Sequence, residues 1–292
     1  MRQPREFTID VGDMDLAVHE WAGAGEPLLL LHATGFHARC WTEVVLRLPG
    51  RHIYAVDLRY HGSSGAAGDV DWGVMSSDIA TCLKALDLNR VLGVGHSIGG
   101  YLLARAAAAN PQRFRQLLLI DPVIMAPKRY AALGEMRAGL SPGDHPVSRR
   151  RNQWRDADEM FERFHDREPF NTWRPEVLRD YCEYALRPHS EQEWQELACD
   201  PINEAAIYMY QGGNEVLYEQ LPELHLPVTL LRAPPGEGGP GQNFANSPTW
   251  PELGKVLPNC SETLLENHNH FIPMQDPDLV ARYIQDLCEA GA

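Results

Sequence analysis

Five short, nearly uninterrupted apolar runs punctuate the chain: Leu28-Leu29-Leu30-Leu31, Ile53-Tyr54-Ala55-Val56, Val91-Leu92-Gly93-Val94, Leu117-Leu118-Leu119-Ile120 and Val228-Thr229-Leu230-Leu231. A strand with one face in water alternates apolar and polar residues. A run that is apolar at every position suits a strand covered on both faces. Between most of these runs lie stretches that read as helices, at 41–48, 75–86 and 98–110. The last is rich in alanine and closed by Pro111, which cannot continue a helix interior. A final helix over 277–289 carries Leu279, Val280, Tyr283, Ile284 and Leu287 at helical spacing. Strands alternating with helices imply an α/β fold, a mostly parallel sheet with helices on both faces. Two antiparallel strands at 7–11 and 16–21, turning at Gly12-Asp13, open the chain.

The alternation stops at about Val123 and resumes at about Leu226. The intervening stretch is rich in arginine and aromatics, among them Trp154, Phe161, Phe164, Trp173, Tyr181, Tyr184, Trp194, Tyr208 and Tyr210, and it has no buried-strand run. The expected organisation is therefore a sheet domain over 1–122 and 226–292, with a mainly helical insertion over 123–225. Most of those aromatics are expected to pack the insertion on itself and onto the sheet, and a minority to line a pocket beneath it. The glycine- and proline-rich stretch 233–248 reads as a long mobile loop.

Composition narrows the function. Lys plus Arg number 26 against 40 Asp plus Glu, a net charge of −14. Such a chain repels polyanions, which argues against a general grip on nucleic acid or an anionic membrane. No stretch approaches the roughly 18 apolar residues that cross a bilayer. The two arginines near the N-terminus, Arg2 and Arg5, precede no apolar core, so no secretory leader is expected. Six cysteines are scattered without a C-x-x-C pair, which fits reduced thiols in a cytoplasm better than zinc ligation.

The segment with most chemical content is Gly95-His96-Ser97-Ile98-Gly99-Gly100, set between a buried strand and the alanine-rich helix. A G-x-S-x-G turn of this kind needs small residues two positions either side of the serine. It lifts the serine hydroxyl to the sheet edge, against the positive end of a helix. The competing reading is an ordinary capping serine in a glycine-rich turn. A serine nucleophile requires a base. Of the 12 histidines, His270 is the choice, because it follows the strand-like Thr263-Leu264-Leu265 and precedes the last helix. His268 is its rival. His96 adjoins Ser97, but adjacent side chains at a sharp turn point apart. An oxyanion hole would draw on the N–H of Ile98 and on one from the loop after Leu31, with Thr34 preferred and Ala33 as alternative. The acid partner of the base is either Asp121, at a rigid strand end, or Glu237, in the glycine-rich loop. Asp121 is preferred, because a mobile loop is a poor mount for a fixed contact. Asp57 ends another strand and reads as a loop brace with Arg59 as ion partner.

Together these segments resemble the α/β-hydrolase superfamily over essentially the whole chain. The resemblance rests on Leu31-His32-Ala33-Thr34-Gly35-Phe36, Asp57-Leu58-Arg59-Tyr60-His61-Gly62-Ser63-Ser64, the 95–100 turn and His270-Phe271-Ile272-Pro273-Met274. It implies a mostly parallel eight-stranded sheet, an inserted helical cap over 123–225, Ser97 as nucleophile and His270 as base. It allows the acid after either the sixth or the seventh strand. Two departures stand out. His32-Ala33 replaces the usual His-Gly, and the loop after the seventh strand offers Glu237 and Asn243 but no Asp, which favours Asp121. Relatives that cleave carbon–halogen bonds, and many that open epoxides, place Asp at the turn, so Ser97 argues against both.

The expected function is thus a serine hydrolase of the esterase or lipase kind. It would cleave a carboxylic ester, lactone or related acyl bond in a small, largely apolar substrate, with no cofactor. The alternatives are a carbon–carbon bond hydrolase or lyase on the same fold, and a non-catalytic binding protein.

Overall fold

The computed structural model describes residues 3–210, 214–236 and 243–290. Its principal sheet has eight strands: β1 Arg5–Asp10, β2 Asp15–Trp21, β3 Ala24–Leu31, β4 Arg51–Val56, β5 Val91–His96, β6 Phe114–Ile120, β7 Val228–Arg232 and β8 Cys260–Leu264. Their order across the sheet is β1-β2-β4-β3-β5-β6-β7-β8. The pairs β1/β2 and β2/β4 are antiparallel, and every other pair is parallel.

The apolar runs are buried on both sides for the reason their sequence suggests. Successive side chains of a strand face opposite ways. Leu29, Leu31, Leu117 and Leu119 join one core cluster, with Met75 and Ile79 of α2 (Trp72–Ala85) and Leu102 and Leu103 of α3 (Ile98–Ala109). Their neighbours Leu28, Leu30, Leu118 and Ile120 join the other, with Val44 and Val45 of α1 (Thr42–Leu46) and Val280 and Ile284 of the C-terminal helix Pro277–Ala290. The helix α2 begins where the Asp71 side chain accepts from the N–H groups of Gly73 and Val74, an N-cap that sets its start three residues earlier than the apolar pattern alone.

Between β6 and β7 the chain forms helices, among them α4 (Pro127–Arg137), Ala157–Phe164, Pro175–Tyr184 and Pro201–Met209. It also forms a small antiparallel sheet from Gln153–Trp154, Leu186–Pro188 and Gln195–Leu197. The sequence reading lacked that sheet, because strands of two or three residues are too short to show a period. Trp154, Trp173 and Tyr181 build a third cluster with Phe36 and Phe271 from the loops of the principal sheet. Most of these aromatics are therefore packing residues. Among the described residues no helix is long and apolar enough to cross a membrane, and all six cysteines are unpaired.

Candidate active site

Three strand ends and one returning loop meet at the carboxyl edge of the sheet. Ser97 joins β5 to α3 at φ 57° and ψ −118°, a conformation rarely held by a residue with a side chain. The turn is tight enough to exclude side chains on both flanks. A Cβ on Gly95 would stand 2.5 Å from the carbonyl oxygen of Gly99, and one on Gly99 would stand 2.3 Å from that of Leu31. Both atoms are backbone held by the sheet or the helix, so glycine is required.

His270 Nε2 lies 3.0 Å from Ser97 Oγ, and His270 Nδ1 lies 2.7 Å from Asp121 Oδ2. A carboxylate only accepts, so Nδ1 carries the proton and donates it to Asp121. In the neutral ring Nε2 is then left to accept from the Ser97 hydroxyl. The His270 main chain is held on both sides: its backbone N–H donates to the Ala245 carbonyl at 2.8 Å, and its backbone carbonyl accepts from His96 Nε2 at 2.8 Å. His96 is thus no rival base. Burial and the neighbouring His270 hold its pKa well below the ordinary value of 6.5, so it stays neutral and positions the His270 main chain. His268 Nε2 lies 3.6 Å from a carboxylate oxygen of Asp276.

Asp121 is fully buried. Its Oδ1 accepts from the Ala233 N–H at 3.1 Å and the Ser247 hydroxyl at 2.6 Å; the Thr249 hydroxyl lies between Oδ1, at 3.1 Å, and the Pro122 carbonyl, at 2.8 Å. Ser247 and Thr249 were not singled out from sequence. The signal available was two hydroxyl residues in the loop after β7, at the same sheet edge as Ser97. Glu237 lies outside the described residues.

The loop after β3 is braced by two more buried histidines. His32 Nδ1 donates to the Ala33 carbonyl at 2.8 Å while Nε2 accepts from the Leu58 N–H at 2.9 Å. His61 Nδ1 donates to the Arg59 carbonyl at 2.9 Å while Nε2 accepts from the Gly35 N–H at 2.9 Å. Burial is the main reason their pKa values fall from 6.5, to about 3 for His32 and about 4 for His61. The Ala33 carbonyl accepts from His32 and from the Phe36 N–H at 3.1 Å. In a trans peptide the following N–H, that of Thr34, points oppositely. Ile98 opens α3, where an N–H has no acceptor within the helix.

One expected pairing differs. Asp57 accepts from the N–H groups of Ala38 and Ser63, at 2.6 and 2.8 Å, and meets His19 at 3.2 Å. Arg59 turns the other way, bidentate to Asp78 at 2.8 Å and to Asp13 at 2.8 Å. The guanidinium fork matches a carboxylate edge-on, and Asp78 on α2 offers that edge.

Ser97 and His270 open into a cavity of about 400 Å³, lined by Thr34 and Phe271 from the sheet loops and by Met125 and Tyr208 from the 123–225 stretch. A second cavity of about 410 Å³ shares Thr34, Phe36, Tyr208, Phe244 and Phe271 with it. Among the described residues no group of three or more His, Cys, Asp or Glu side chains is placed to hold a metal ion.

The sequence profile of the alpha/beta hydrolase family matches residues 28–283. An N-formylmaleamate deformylase of Pseudomonas putida is 27% identical over 263 residues, which span 88% of this chain and 87% of that protein. The structure is similar to that of E-2-(acetamidomethylene)succinate hydrolase, with a TM-score of 0.74 and 19% identity over 98% of this chain and 99% of the other. It is also similar to the enol-lactonase of Burkholderia xenovorans, with a TM-score of 0.66 and 16% identity over 97% and 99%. At these identities the two structures speak to the fold alone.

Proposed function

This chain belongs to the alpha/beta hydrolase family, and from that premise we propose that it cleaves a carboxylic ester, lactone or related acyl bond through an acyl-enzyme on Ser97. The observation that carries the reading is the imidazole of His270 lying between the Ser97 hydroxyl, at 3.0 Å, and the buried Asp121 carboxylate, at 2.7 Å. Ser97 Oγ attacks the substrate carbonyl as its proton passes to His270 Nε2. Asp121 keeps the Nδ1 proton in place and offsets the charge of the imidazolium. The oxyanion is held by the N–H of Ile98 and that of Thr34, the latter favoured over Ala33 by the peptide orientation above. His270 then protonates the leaving oxygen and the carbon–oxygen bond breaks. Water, deprotonated by His270, attacks the acyl-enzyme, and Ser97 leaves with its proton restored.

In this reading residues 123–225 act as a cap, supported by Met125 and Tyr208 lining the same cavity as Ser97. A second reading keeps the machinery and changes the leaving group to nitrogen. It is favoured by the deformylase relative, whose name implies carbon–nitrogen cleavage and which matches most of the chain.

The test is turnover of a panel of neutral esters, lactones, thioesters and N-formyl amides by the wild type and by Ser97→Ala. The variant is expected to stay folded and to lose about a thousandfold or more in kcat, and fluorophosphonate labelling is expected to disappear with it. Undiminished turnover in the variant refutes the reading. Preference for the N-formyl amides over every ester selects the second one.

A further inference from the structure

We infer that the substrate bears a carboxylate, and that Arg129 and Arg137 of α4 bind it. The inference rests on the reading of Ser97 and His270 as the reacting pair, because it concerns the cavity they open into. Arg129, Leu133 and Arg137 recur at every fourth position of α4, so they rise along one face of the helix about 6 Å apart. All three line the cavity that Ser97 and His270 line.

Both guanidiniums are partly buried, and neither has a carboxylate partner among the described residues. Arg129 Nε is buried without a hydrogen-bond partner among the described residues. Arg137 donates one bond, from Nη1 to the Tyr208 carbonyl at 2.5 Å. Two other arginines, by contrast, meet carboxylates directly: Arg59 pairs with Asp78 and Asp13, and Arg150 with Glu204 at 2.6 Å. Partial burial without a counter-anion lowers the pKa of both cavity arginines from their ordinary value. Arginine does not lose its proton in a protein, so the charge persists and favours an anion beside it.

Among the described residues no acidic side chain lines the cavity, and the rest of its wall is mainly apolar, with Trp72, Met125 and Phe244. A net charge of −14 spread over the surface therefore does not describe the field inside. A concave site with two cations and low-dielectric walls focuses positive potential locally. The substrate that matches has an apolar stem between its acyl carbon and a carboxylate, which can take a guanidinium fork with two parallel hydrogen bonds. The expectation of a largely apolar substrate, drawn from the aromatics and the net charge, is thereby narrowed to one with an anionic end.

The experiment compares monoethyl succinate, adipate and suberate with ethyl butanoate, hexanoate and octanoate, each followed by product release at constant pH. The wild type is expected to prefer at least one half-ester to its neutral counterpart by about tenfold or more in kcat/KM. In Arg129→Gln and Arg137→Gln the ratio of half-ester to neutral-ester kcat/KM is expected to fall by about ten- to a hundredfold, mainly through KM. Arg129→Lys, which keeps the charge, should recover part of it. No preference in the wild type, or an unchanged ratio in both glutamine variants, overturns the inference. If Ser97→Ala retains turnover, the serine reading fails separately. The anion site then stands or falls on whether adipate raises the Tm of that protein in a way Arg129→Gln abolishes. Stabilisation by inorganic phosphate equal to that by adipate overturns the carboxylate assignment.

Discussion

Asp121→Asn puts the proposed relay to its sharpest test, because the structure dictates how the new amide must sit. Asp121 Oδ1 faces the Ala233 N–H at 3.1 Å and the Ser247 hydroxyl at 2.6 Å. A backbone N–H cannot accept, so the amide oxygen must take the Oδ1 position and the amide NH2 must take that of Oδ2. The NH2 then points at His270 Nδ1, now 2.7 Å away. Two donors cannot share that contact, so the imidazole proton moves to Nε2. There it faces Ser97 Oγ, at 3.0 Å, as a donor. The base is converted into the wrong tautomer without loss of the contacts to Oδ1, and the fold should persist. For a relay of this geometry the wrong tautomer costs about ten-thousandfold in kcat, or about 5 kcal/mol of transition-state stabilisation. Steady-state hydrolysis of a neutral ester gives the rate, urea unfolding checks the fold, and nitrogen NMR of the imidazole reports which ring nitrogen holds the proton. A folded variant within about tenfold of wild type refutes the reasoning. Glu237→Gln, at the alternative acid position, is expected to leave kcat within a few-fold, and a crippled variant there would transfer the role from Asp121.

Two further expectations follow from packing and protonation. Gly99→Ala should gain up to about 1 kcal/mol of helix propensity, yet the added methyl would meet the Leu31 carbonyl at 2.3 Å. The strand cannot move aside, so a net loss of about 2 kcal/mol or more is expected in urea unfolding together with loss of activity; a variant as stable and active as the wild type contradicts the turn geometry. Acid should weaken the fold before the carboxylates titrate. His61 is neutral and buried with its pKa lowered from 6.5 to about 4, so between those pH values the unfolded chain binds a proton that the folded chain refuses. Its contribution is complete above pH 6.5 and is lost as pH falls toward 4, on the order of 3 kcal/mol. Urea midpoints that stay flat from about pH 7 to about pH 4.5 would show that His61 does not accept from the Gly35 N–H in the way described.

Much of the sheet edge was legible in the sequence because the relevant patterns are local. The apolar runs mark strands buried on both faces, and the small residues around Ser97 mark a turn that no larger side chain can make. His270 was legible by position, as the histidine in the loop that follows the last strand. The 123–225 stretch was less legible. Its strands, such as Gln153–Trp154, are too short to have a period, and its aromatics look alike whether they pack, as Phe161 does, or line a cavity, as Tyr208 does.

Local sequence alone determined the alternation of strands and helices, the glycines flanking Ser97 and the shortlist of groups able to do acyl chemistry, since each depends on neighbours within a few positions. Only the tertiary structure decided which shortlisted groups meet. Asp121 and His270 are 149 residues apart in the chain and 2.7 Å apart in space. Ser247 was invisible as a partner of Asp121 because it approaches across 126 positions. The same holds for the cavity charge: a count of ionisable residues sums over the whole surface, whereas the field a substrate meets depends on which side chains converge on one concave wall, and here those are Arg129 and Arg137.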